Sequence, residues 1–190
     1  MATCCSRASG SRYRSGHPPA PKTGHDGSVL LYYSNAIRAL DLETFDVRVL
    51  IDDAGIERNG EFSPDGRWIA YTSNGSGRDE IYVKPYPALD RRYTISPDGG
   101  DQPMWARDGS ELFYISGDRL MAAAIRTGDD GAFSSERPRM LFRGGFHVNA
   151  AGDQSFDVAE DGRLLMIAGG GDVRLRVRTG WLERALSGER

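Results

Sequence analysis

The chain is short of cysteine, of long apolar runs and of surplus positive charge. Each shortage closes off a class of protein. Its two cysteines, Cys4 and Cys5, are adjacent. A disulfide needs Cα atoms more than about 4.4 Å apart, so neighbours rarely bridge. With no third cysteine, a disulfide framework and a thiolate metal cage are both excluded. No apolar run precedes Cys4 as a lipidation signal requires. Nor does any approach the roughly 20 residues of a membrane helix. The longest runs, such as Leu164–Ala168, are strand-sized. A net charge of −3 in 190 residues leaves no basic footprint for nucleic acid.

Catalytic signatures are missing as well. There is no Gly-x-Ser-x-Gly elbow, so the catalytic half of a propeller-gated peptidase is not in this sequence. There is no His-Arg-Asp loop, Asp-Phe-Gly or phosphate-cradling glycine loop, so kinase chemistry is not expected. Gly169–Asp172 is glycine-rich, but it reads as a loop between strands and opens no helix. The three histidines, His17, His25 and His147, have no metal-pair spacing.

What is present is a repeat. Glu61–Pro87 reads as strand, tight turn, strand, loop, strand. Its first half recurs at Met104–Ser116 and Phe156–Ala168, and more weakly at His25–Ser34. The Asp-Gly pairs beginning at Asp26, Asp65, Asp108 and Asp161 are spaced 39, 43 and 53 residues apart. Asp bonds the backbone ahead and Gly accepts positive φ, so each pair marks a turn. A period near 40 with about four short strands per unit points to a β-propeller. No sustained helical periodicity competes with it. The strand after each turn is apolar at consecutive positions: Trp68–Tyr71, Leu112–Ile115, Leu164–Ile167. Side chains alternate between strand faces, so both faces are expected to be buried, as between stacked blades.

The expected fold is therefore all-β, with about four four-stranded antiparallel blades near residues 25–58, 59–101, 102–148 and 149–190. The first blade is expected to be incomplete, because the proline-rich Pro18–Gly24 makes a poor opening strand. Residues 1–24 read as a disordered tail or a mis-assigned start, with no signal-peptide core. Arg126–Arg139 reads as a long loop, and Trp181–Leu186 as a short terminal helix.

FSPDGRWIAY, then SGRDEIYVKPYP, then GGDQPMWARDGSELFYIS, resemble the WD40-like (PD40, TolB-like) β-propeller repeat. The resemblance covers about Gly24 to Leu186. It is nearest to C-terminal propellers of bacterial serine/threonine kinases and to TolB-related proteins. It implies six or so blades in the full family fold, of which this chain would be a C-terminal fragment. It also implies an extracytoplasmic sensor-like or periplasmic binding module.

The function that follows is non-catalytic recognition of a protein or a small ligand, with no catalytic, cofactor or metal residues assigned. Two loops are candidates for contacts, Ser73–Arg78 and Gly144–Asp153. Asp65, Asp108 and Asp161 occupy matching positions, so they are assigned to turns and not to catalysis. Trp68, Trp105 and Trp181 are assigned to the core. Glu57–Glu61 and Ser76–Glu80 are read as solvated loops or part of a binding rim. The competing reading is a metal-dependent lactonase-like propeller, for which Asn149 and Asp153 are the nearest ligands. A third is the regulatory propeller of a serine peptidase. Open blade faces at an incomplete ring would favour self-association.

Overall fold

A computed structural model describes residues 22–23, 27–145, 154–159, 161–168 and 174–178. Among the described residues sixteen strands form four antiparallel sheets, and there is no helix. The first sheet is β1 (Lys22–Thr23), β2 (Val29–Tyr33), β3 (Ile37–Asp41) and β4 (Val47–Ile51). The second is β5 (Glu57–Phe62), β6 (Trp68–Ser73), β7 (Glu80–Pro85) and β8 (Tyr93–Thr94). The third holds β9 (Asp101–Trp105), β10 (Glu111–Ser116), β11 (Arg119–Thr127), β12 (Phe133–Ser135) and β13 (Arg139–Arg143). The fourth is β14 (Phe156–Val158), β15 (Leu164–Ala168) and β16 (Arg174–Arg178). Within each sheet, strands consecutive in sequence are paired, except that β12 and β13 both pair with β11.

The sheets stack face to face through three apolar seams. Leu31, Ile37 and Ala39 meet Ile69, Tyr71 and Tyr82 between the first and second sheets. Trp68, Ala70, Ile81 and Val83 meet Leu112, Tyr114, Ala123 and Ile125 between the second and third. Phe113, Ile115 and Ala122 meet Phe156, Val158, Leu164 and Met166 between the third and fourth. Consecutive residues of β6 thus serve opposite seams, and all six are buried. Packing between sheets also joins β2 to β5, β5 to β9, and β9 to β14. In three of the sheets the first strand, β5, β9 or β14, forms one edge, and β4 and β8 form the far edge of theirs.

Four expectations need correction. Lys22 and Thr23 pair with Leu31 and Leu30, so the first sheet has a two-residue opening strand. It fits between Pro21 and Gly24, where no proline removes a ladder donor. The long loop Arg126–Arg139 contains β12, which pairs with the extended end of β11. Phe133 anchors it, with its ring centroid 4.8 Å from that of Trp68 and 4.6 Å from that of Tyr93. Glu57–Glu61 is no solvated loop, because it lies almost entirely within β5 and Glu57 is fully buried. Glu80, from the second charged stretch, is buried too. Finally, β15 is not buried on both faces: Leu165 stands 40% exposed. Trp68 and Trp105 are core residues as expected, whereas Trp181 and the terminal helix lie outside the described residues.

Candidate functional site

Because the strands run up and down, their connections alternate between two ends of the stack. At one end sit the Asp-Gly turns, built alike in three sheets. Gly66 N–H donates to Ser63 O at 2.8 Å, Gly109 N–H to Ala106 O at 2.9 Å, and Gly162 N–H to Ala159 O at 2.9 Å. The three glycines have φ of 71°, 74° and 76°, a region that costs a side chain energy. The carboxylates of Asp65, Asp108 and Asp161 accept the backbone N–H two residues on. Burial alone would raise the Asp65 pKa, but bonds from Ser63 and Arg67 hold it below the ordinary value. Asp108 is lowered by the Ser110 hydroxyl and N–H, and Asp161 by the Arg163 N–H. These groups shape turns, as the matched spacing implied.

The opposite end is where β5, β9 and β14 begin. The β6–β7 loop lies here, and so does the start of the second candidate loop, where Gly144 N–H donates to Asp118 O at 2.9 Å. The stack thus brings the first loop and the start of the second to one end. Residues 146–153, with His147, Asn149 and Asp153, lie outside the described residues.

The inner strands carry a feature the sequence did not announce. Asn59 and Gly60 together oppose Tyr71, and Gln102 and Pro103 together oppose Tyr114. These are β-bulges at equivalent places. Asn59 has φ 55° and Gln102 φ 58°. A non-glycine residue in that region costs on the order of 1 kcal/mol or more and persists only where its surroundings fix it. Here the surroundings lie in the next sheet. Asn59 Nδ2 donates to Asp101 Oδ1 at 3.1 Å. Gln102 is fully buried, and its Oε1 accepts both Ser155 N–H at 2.9 Å and Ser155 Oγ–H at 2.6 Å.

Charges complete the clamp. Arg58 donates to both carboxylate oxygens of Asp79, at 3.1 and 2.7 Å, and to Asp101 Oδ2 at 3.1 Å. Thr72 Oγ–H donates to Asp101 Oδ1 at 3.1 Å. Burial would lower the Arg58 pKa, but the two carboxylates overcome it and raise it. Farther out, Asp53 accepts from Tyr71 Oη at 2.9 Å and Lys84 Nζ at 2.8 Å. Burial of Tyr71, with Asp53 beside it, pushes its phenol well above the ordinary range.

A polar row crosses the second sheet at this end. Ser73 Oγ–H donates to Glu57 Oε1 at 3.0 Å, while Glu57 Oε2 has no partner among the described residues. Next to it, Glu80 accepts from Arg78 Nε at 2.6 Å, Ser96 Oγ at 2.5 Å and Gly99 N at 3.2 Å. A groove of about 460 Å³ opens beside Glu80, lined by Ser76, Gly77, Arg78, Tyr82, Thr94 and Pro97. Among the described residues no three His, Cys, Asp or Glu side chains are grouped as a metal site. The contacts to Asp101 hold the second and third sheets together, the other charges are held within the second sheet, and the loop Gly75–Arg78 beside them is exposed.

Sheets stacked around a common axis, with the inner strand of each clamped to the next, define a β-propeller. More closely, the fold is that of part of a TolB-like propeller. It superposes on TolB from Acinetobacter baumannii with a TM-score of 0.62 at 20% identity, covering 85% of this chain and 41% of that one. A puromycin-hydrolysing peptidase from Mycobacterium tuberculosis gives a TM-score of 0.63 at 19% identity, over 83% of this chain and 29% of that one. A gluconolactonase from Xanthomonas campestris gives 0.60 at 16% identity, over 82% and 56% respectively. The chain spans less than two thirds of each. No family model and no curated protein matches the sequence.

Proposed function

We propose that this chain is a non-catalytic recognition module, a propeller scaffold that presents the end bearing Gly75–Arg78 to a protein partner. One observation carries the reading. Four side chains of that end, Arg58, Asp79, Asp101 and Glu80, are bonded to one another or to the backbone. They are positioned to stiffen the scaffold and not to react. The adjacent loop is exposed, flanks the groove, and projects Arg78 at its rim. Ile56, 45% exposed and seated against Asn74 through its N–H, adds an apolar contact beside that loop.

The sequence resemblance supports the finer reading of a TolB-like or kinase-associated sensor module, so a protein partner of TolB-related proteins is the first candidate to present. Replacing Ser76–Arg78 with three glycines should abolish capture of such a partner in a surface-binding assay while circular dichroism shows the sheet retained, with a lowered unfolding midpoint because Glu80 loses Arg78. Retained capture would sink the assignment of this loop. The competing enzyme reading is tested by titrating calcium into the purified chain with a lactone substrate. Calcium-dependent hydrolysis would replace recognition with catalysis.

A further inference from the structure

Two Asn-Gly pairs lie toward the end bearing Gly75–Arg78: Asn59-Gly60 in β5 and Asn74-Gly75 in the β6–β7 loop. An asparagine side chain followed by glycine is open to attack by the glycine nitrogen, because no Cβ shields that nitrogen. The attack closes a five-membered imide.

The surroundings of the two pairs are opposite. Asn74 turns its carbonyl oxygen to a donor: Oδ1 accepts Ile56 N–H at 2.8 Å. Asn59 turns its amide nitrogen to an acceptor, Asp101 Oδ1, at 3.1 Å. A donor at the carbonyl oxygen stabilises the negative charge that develops there during attack, whereas a carboxylate beside the amide opposes it.

The attacking nitrogen of Gly75 is also provided for. Gly75 N–H donates to Ser73 Oγ at 3.2 Å, and Ser73 Oγ–H donates to Glu57 Oε1 at 3.0 Å. Ser73 and Glu57 are fully buried, and Glu57 Oε2 has no partner among the described residues, which leaves an acceptor position open. A Cβ on Gly55 would lie 2.5 Å from Gly75 N and 2.8 Å from Asn74 Oδ1, so nitrogen and carbonyl oxygen face the same point. Gly75 is exposed, and water reaches the pair.

From this we propose that Asn74-Gly75 is a self-modification site, at which the chain converts its own asparagine to aspartate and isoaspartate. Gly75 N bonds to Asn74 Cγ, its proton passes to Ser73 Oγ, and the Ser73 proton passes to Glu57. Negative charge gathers on Oδ1 against Ile56 N–H. The Cγ–Nδ2 bond then breaks, and Nδ2 leaves as ammonia with a proton from water. Glu57 returns its own proton to the solvent. Water opens the imide at either carbonyl, and no oxidant or reductant takes part. The product adds a negative charge to the loop that carries Arg78. An effect on partner capture rests on the recognition reading, whereas the chemistry stands apart from it.

Peptide mapping by mass spectrometry tests it on the purified full chain, aged at neutral pH both folded and in urea. In the folded chain Asn74 should gain the amide-to-acid mass difference at least about tenfold faster than Asn59. In urea the two pairs should convert alike. Glu57→Gln keeps an acceptor for Ser73 but cannot take the proton, and it should slow conversion of Asn74 at least about tenfold. Ser73→Ala breaks the same relay at its middle and should act likewise, with circular dichroism checking the sheet of each variant. Equal rates at the two pairs in the folded chain overturn the proposal, and so does an Asn74 that stays an amide. A folded variant that ages at the wild-type rate overturns it too. Partner capture is not the readout, so any of these failures leaves the recognition reading standing.

Discussion

The two ends of the propeller stack are built on opposite plans. At the turn end, three sheets use one device, an Asp side chain over a left-handed glycine, with hydrogen bonds that agree to a tenth of an ångström. At the loop end each sheet differs. Asn59 reaches a carboxylate in the next sheet, whereas Gln102 reaches a serine. Arg58 occupies the place that Asp101 takes one sheet later, and the two pair across the seam. Identical parts fix strand geometry. Unlike parts fix which sheet follows which, and they leave one end free to vary.

The comparison can be broken most forcefully at Arg58. Its side chain and that of Asp101 are about 16% and 15% exposed, so removing the cation strands a largely buried carboxylate. Arg58→Ala should cost about 3 kcal/mol, read as a lower urea midpoint. Gln102→Ala deprives the buried Ser155 N–H and hydroxyl of their acceptor, and a loss of about 2 kcal/mol is expected in the same titration. The turn end should respond less, and evenly. Gly66→Ala and Gly109→Ala each force a side chain to positive φ, for about 1 kcal/mol. A Cβ at Gly109 meets nothing closer than Pro64 Cδ at 3.8 Å, so strain and not collision sets that cost. Costs that differ by more than about 0.5 kcal/mol between the two glycines would show that the turns are not equivalent.

The smallest effect is one of pH. Asp53, Asp65 and Asp108 have folded pKa values depressed below 3.8. A depressed carboxylate stabilises the fold fully above its unfolded pKa, and that stabilisation is lost as pH falls through the folded value. Thermal midpoints should be flat from neutral pH to about 5 and should decline below about 4. Asp108→Asn should reduce that decline only slightly, because its carboxylate is exposed.

Much of the architecture was legible along the chain because it depends on local chemistry. Asp-Gly marks a turn wherever it stands, and Trp68–Tyr71 declares two buried faces without reference to any partner. The clamp was not legible, because its partners are more than 20 residues apart. Glu57-Arg58-Asn59 looks solvated when read alone. Strand pairing within the second sheet brings Ser73 and Asp79 to it, and stacking brings Asp101, which makes burial tolerable. Gln102 stood inside the GGDQPMW stretch that carried the resemblance, but nothing local told that its backbone turns left-handed. The strand β12 was hidden in a polar loop. Its one signal was Phe133, an aromatic side chain with no apolar neighbours in sequence other than Ala132.

Within each sheet every strand but β13 pairs with the strand made just before it. That order has a consequence during synthesis. A ribosome adds about 5–20 residues each second, so a unit of roughly 40 residues emerges within seconds. Hairpins close in microseconds. Each sheet can therefore finish before the next one leaves the exit tunnel, and the finished face offers the newcomer a surface on which to settle. Assembly can then proceed from the amino end, each sheet adding a piece to a template already in place.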